Sequence, residues 1–186
     1  METKEELLRI IDLLNDTYES EQAWHGPSVV EVLRGVSPKL ADKRISPSTH
    51  TIAELVFHMT TWRIFAVRKL QGDASFDIKT KEKNWKTFAL VDEFEWETLQ
   101  MELSLSQEEL ISELEKRDSD AFLDQIVPGR DYSYYTLLHG LINHDLYHAG
   151  QIALIKKGLS SSAFQDDNLE DLEDSGTFGE NFEQYN

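Results

Sequence analysis

The sequence predicts an all-α protein: a four-helix bundle whose first and second long helices are joined by a long crossover. Three observations carry this. Four stretches open with a helix-capping signature and continue with apolar residues at steps of three and four. The period-two alternation of strands is almost absent. Finally, Tyr134 to Lys157 runs without proline and ends in Lys156, Lys157 and Gly158, basic residues followed by the usual glycine stop.

Taken in order, Thr3-Lys4-Glu5-Glu6 reads as a capping box opening the first helix. Leu7, Ile10, Leu14 and Tyr18 form its apolar face, and its end is expected near Trp24, before His25-Gly26-Pro27. A second box, Ser28 to Glu31, starts a short helix from Val29 to Arg34, stopped by Gly35. Residues 37–50, with Pro38 and Pro47, read as connection with one short turn. Thr51 to Glu54 caps the second long helix, expected to run to about Gln71 with Ile52, Leu55, Met59, Trp62 and Ala66 inward. Residues 72–91 read as an irregular excursion whose Phe76, Ile78 and Trp85 pack over one end of the bundle. Asp92 caps the third long helix, expected to about Arg117 on Phe94, Leu99, Leu103, Leu110 and Leu114. A return loop follows, docked by Phe122, Leu123, Ile126 and Val127 and turned at Pro128-Gly129. Residues 1–158 are thus expected to form the bundle domain. Residues 159–186 read as an acidic tail, flexible or loosely docked, with eight acidic residues and no basic one from Asp166 onward.

Composition narrows the chemistry. The chain of 186 residues is 40% hydrophobic and 28% charged, enough for one domain with a real core. It has no cysteine, so disulfides, thiolate metal sites and a cysteine nucleophile are excluded. A net charge of −17 repels phosphate backbones and anionic lipid, which argues against nucleic acid or membrane partners. METKEELLRI lacks the apolar run of a signal peptide, so a cytoplasmic location is the expectation.

The chemistry concentrates on the last helix. One face carries Tyr134, Leu137, Leu141, His144, His148, Gln151 and Ile155. Polar groups at core positions destabilise unless paired. His144 and His148, one turn apart, can share a metal ion, or can form a buried, hydrogen-bonded pair without one. His58 flanks the inner stripe of the second long helix. Alone it reads as a satisfied core histidine; beside the pair it is the candidate third ligand.

The segment from Glu54 to Trp62 around His58, residues Val127 to Tyr132, and the run GLINHDLYHAGQIAL from Gly140 to Leu154 together resemble the DinB/YfiT-like superfamily. The resemblance covers about residues 5–158. It implies a four-helix bundle with a long first crossover. It also implies a divalent metal, usually zinc or nickel, on His58, His144 and His148, and often a homodimer. Three imidazoles leave at least one open coordination position, the pattern of a catalytic site. Similar proteins use such a metal to activate a low-molecular-weight thiol, and others are described as hydrolases; a small-molecule substrate is implied. The expected function is therefore a metal-dependent thiol S-transferase or hydrolase, with a non-enzymatic, metal-stabilised, stress-associated bundle as the alternative. Asp145, directly after His144, is a candidate catalytic base or an orienting group, and Gln151 a candidate hydrogen-bond partner for a ligand or substrate. His139 and Tyr147 read as surface or packing residues, and His50, just before a helix start, as a capping-region surface histidine or a residue facing the pocket.

Overall fold

The structure, a computed structural model, describes residues 3–160. The expected acidic tail lies outside the described residues beyond Ser160. The architecture is all-α. Four long helices, α1 (Glu5–Glu19), α4 (Ile52–Leu70), α6 (Glu93–Glu115) and α7 (Tyr134–Ser160), carry the core. Three short ones, α2 (Val29–Leu33), α3 (Pro38–Ala41) and α5 (Lys81–Asn84), and a 3-10 turn at Asp120–Asp124 lie in the connections. Both α1 and α4 pack on α6 and on α7, with the closest association between α4 and α6. Among the described residues there is no strand, and no helix is long and apolar enough to cross a membrane.

The caps form at three of the four starts. Ser28–Glu31 and Thr51–Glu54 make reciprocal capping boxes, and the Asp92 carboxylate accepts from the Glu95 N–H at 2.9 Å. The fourth is a correction. Lys4 occupies the N-cap of α1 and makes no side-chain cap bond. The cap comes instead from the distant Asp120, whose carboxylate accepts from the Leu7 N–H at 2.9 Å and the Glu6 N–H at 3.3 Å. Those amide bonds hold the Asp120 carboxyl below its ordinary pKa, and Thr3 donates its hydroxyl to the same group. Helix α1 also stops at Glu19, short of Trp24. Ser20 turns extended, its hydroxyl accepts from the Gln22 N–H, and Trp24 is 94% exposed, so no buried apolar residue remains to carry the helix on.

Four further expectations change. In α6 the inward aromatic is Trp96, which donates its indole N–H to Val36 O at 2.8 Å, while Phe94 is exposed. Ile126 is exposed too, although Phe122, Leu123 and Val127 dock as expected. Helix α7 does not stop at Gly158. It continues to Ser160 because Leu159 is buried in the core, and Gly158 passes close to the Ile45 side chain. The excursion over residues 72–91 contains α5, which the sequence pattern does not mark.

The interior has two apolar clusters stacked along the bundle. One gathers Tyr18, α2, α3, the first half of α4, the start of α6 and the end of α7. The other gathers Leu7 to Leu14, Phe65 to Leu70, Leu110, Leu114 and the start of α7. Between them every long helix contributes polar residues: Thr17 from α1, Thr60, Thr61 and Arg63 from α4, Ser106 and Gln107 from α6, and Asp145 and His148 from α7. The centre of this layer is an ion pair, Arg63 Nη2 to Asp145 Oδ2 at 2.8 Å, with side chains 0% and 2% exposed. Gln107 accepts from Arg63 Nε at 3.1 Å, and the guanidinium lies 5.1 Å from the Tyr18 ring centre.

A buried pair destabilises strongly when one charge is left alone, yet an apolar replacement of both is close to neutral. Arg63→Met is therefore expected to lose about 3–5 kcal/mol in urea unfolding, and Arg63→Met with Asp145→Leu to regain most of it. Equal losses in single and double variants would contradict the pairing.

Candidate metal centre

Three histidines meet at the edge of this polar layer. His58 comes from the middle of α4 and His144 and His148 from successive turns of α7. His144 Nε2 lies 3.0 Å from His58 Nε2 and 3.1 Å from His148 Nε2. The three form a group that could hold a metal ion, their donor atoms all within 4.8 Å of one another. Nitrogens about 3 Å apart can share one ion at the usual Zn–N distance of about 2.0–2.1 Å.

The hydrogen bonds behind the rings fix which nitrogen carries the proton. His58 Nδ1 sits 3.0 Å from the Asn84 backbone carbonyl oxygen, which can only accept. His148 Nδ1 sits 2.8 Å from Gln151 Oε1, also an acceptor. Both rings are therefore Nδ1–H tautomers, and both Nε2 atoms present lone pairs toward His144. His144 has no comfortable state of its own. Protonated at Nε2, it cannot aim one hydrogen at both neighbours, and its Nδ1 lone pair faces Asp145 Oδ1 at 3.7 Å. Protonated at Nδ1, it brings a third lone pair to the meeting point. Nδ1 of His144 and Oδ1 of Asp145 are both buried without a hydrogen-bond partner. A cation at the three Nε2 atoms resolves every conflict, since His144 then keeps its Nδ1 proton beside the Asp145 carboxylate.

Burial reinforces this. It is the main cause lowering His58 from the ordinary 6.5 to about 4, with the neighbouring imidazoles adding to it. His148 is likewise lowered to about 4, first by burial and then by His144. At neutral pH both rings are uncharged, the form that ligates a metal.

The sequence places Trp62 and Trp85 only as packing aromatics; the structure sets both against the histidines. Trp85 is sandwiched between His58 and His50, ring centres 3.8 and 3.7 Å away and planes nearly parallel. Trp62 contacts His58 edge-on at 6.4 Å and His144 at 5.6 Å. Nothing in the sequence marks Asn84, because a backbone carbonyl has no residue signature. Arg63 had a signal: between Met59 and Ala66 it is the one charge on α4, as Asp145 is the one acid between Tyr134 and Lys157. The structure puts Asp145 against Arg63, and Gln151 on the back of His148. His50 donates from Nδ1 to the Glu54 carboxylate at 3.0 Å, and the same carboxylate also meets Arg44. His139 packs on Tyr135, and Tyr147 is exposed with its ring 5.1 Å from His148.

A His whose pKa is depressed in the folded state favours the neutral form there. Its contribution is intact above about 6.5 and is lost as pH falls toward about 4. The metal-free protein should thus lose urea stability over that window. A His58→Gln, His148→Gln variant should show a shallower slope, and identical slopes would contradict the assignment.

A family profile described as the DinB superfamily matches residues 21–152. No curated protein and no solved structure matches the chain. The matched span takes in α4, the strap carrying Asn84 and Trp85, and α7 through Gln151. With well over half of its length matched and all three histidines inside the match, the chain belongs to the DinB superfamily.

Proposed function

We propose that this chain is a divalent-metal enzyme, using zinc or nickel on His58, His144 and His148 to activate a thiol or water against an electrophilic small molecule. The single observation that carries this is the convergence of three Nε2 atoms, two of them locked as lone-pair donors by the carbonyl oxygens of Asn84 and Gln151. When bound, such an ion supplies Lewis acidity that lowers the pKa of a water or thiol. The chain's own residues do the rest. Asn84 and Gln151 set the tautomers, and Asp145, held by Arg63, faces the Nδ1 of His144. That placement favours Asp145 as the group that orients His144, with the buried Arg63 neutralising it, over a role as catalytic base. Trp62 and Trp85 exclude water from the flank of His58. Among the described residues the group has three donors, which leaves coordination free for a non-protein ligand and favours an enzyme over a sealed structural site.

The test is metal content by plasma mass spectrometry on protein purified without a histidine tag. About one zinc or nickel per chain is expected, lost in His148→Ala, together with consumption of a low-molecular-weight thiol in the presence of an electrophile. No metal in the native protein, and none taken up on addition, would overturn the proposal. Metal without thiol or hydrolytic turnover would favour the metal-stabilised bundle.

A further inference from the structure

Beside the histidine cluster lies a cleft of about 560 Å³, within the range of small-molecule sites. Trp62 and Asn84 line it and also contact His58, which joins the cleft to the histidine cluster. Phe65 and Ile78 give it an apolar wall. Trp62 Nε1 is a buried indole donor with no protein partner.

Charges are arranged unusually at this cleft. Asp77 holds two cations at once: Arg130 through Nη2 at 2.9 Å and Nη1 at 3.5 Å, and Lys79 Nζ at 3.5 Å. With Asp131, which lines the same cleft, the count is two carboxylates and two cations, a locally balanced set in a chain whose net charge is −17. Arg130 is fixed, its guanidinium 5.0 Å from the Phe65 ring centre and its side chain 14% exposed. Lys79 is 77% exposed, and its 3.5 Å pair with Asp77 is open to solvent and to exchange with a ligand carboxylate. The carboxylate of Asp131 is exposed. The overall field disfavours a multiply charged anion. The two neighbouring cations favour one carboxylate beside them, and Asp131 favours a cation on its own side, so the balanced set matches a ligand that carries one charge of each sign.

We propose that this cleft is the substrate-docking room of the metal site, and that it takes a zwitterionic, amino-acid-like or peptide-like molecule. Its carboxylate meets Lys79 and Arg130, its ammonium meets Asp131, and its body runs along Phe65, Ile78 and Trp62 toward His58. The docking role rests on the metal reading above for its reaction, but binding itself needs no metal.

That independence gives the test. Metal-free, full-length protein is titrated with the dipeptide alanyl-phenylalanine, which has no thiol, and binding is read from the Trp62 indole N–H resonance, assigned with Trp62→Phe. The N-acetylated and the C-amidated dipeptides serve as controls lacking one charge each. The zwitterion should move the Trp62 resonance, and each control should bind at least fivefold more weakly. Lys79→Glu and Asp131→Asn, both at exposed positions, should each weaken the zwitterion at least threefold with thermal unfolding unchanged. Equal binding of all three peptides, or no movement of the Trp62 resonance, would overturn the proposal. Metal uptake on the same samples separates the two readings: peptide binding without metal uptake leaves this site standing and sinks the metal centre, and metal uptake without peptide binding does the reverse.

Discussion

Two carbonyl oxygens decide the character of this molecule. One belongs to the Asn84 backbone and the other to the Gln151 side chain, and each takes the Nδ1 proton of a histidine. The consequence lies on the far side of each ring, where Nε2 is left with a lone pair aimed at the same place. Neutral imidazoles normally settle into donor–acceptor pairs. Here the donor is missing twice, and His144 cannot supply it to both neighbours at 3.0 and 3.1 Å. The arrangement makes physical sense around a cation. It also explains why the strap over residues 72–91 matters although it contains only one helical turn: α5 delivers the Asn84 carbonyl, and the next residue, Trp85, stacks on the ring so oriented.

The bundle accommodates these groups by keeping them at one level. Apolar clusters above and below close the core, and the polar residues of all four long helices meet between them. Within that layer Arg63 and Asp145 are fully enclosed, a pairing that adds little stability over an apolar replacement. Its value lies in position. Arg63 is tied to α6 through Gln107, so the Asp145 carboxylate facing His144 is referenced to three helices at once. The helical core thereby fixes the back of the three-histidine group, while the strap covers His58 from the other side.

Much of this was legible in the sequence, and the exceptions have physical reasons. His144 and His148 were readable because helical spacing projects them together from a stripe that is apolar at both ends. His58 became readable through its family context. The caps at Ser28, Thr51 and Asp92 are local and formed as read. The cap of α1 is not local: Asp120 is more than a hundred residues away in sequence and only folding brings it to Leu7. Phe94 stands five residues before Leu99, which at about 100° per residue turns it well away from the Trp96–Leu99–Leu103 face. The glycine stop at Gly158 gave way to the burial of Leu159, tertiary packing overriding a terminal preference. Trp85 was readable as a packing aromatic, but its stack on His58 and the direction of the Asn84 carbonyl were not, because both are set by the path of an irregular segment.

The central claim is a statement about protons, so the most direct measurement observes them. Long-range ¹H–¹⁵N correlation spectra of the imidazole side chains in metal-free protein, near neutral pH, report the tautomer of each histidine. The account predicts that His58 and His148 are neutral and protonated at Nδ1, and that their Nε2 shifts move on addition of zinc together with that of His144. Protonation of His58 or His148 at Nε2, or Nε2 shifts that zinc leaves unchanged, would contradict it.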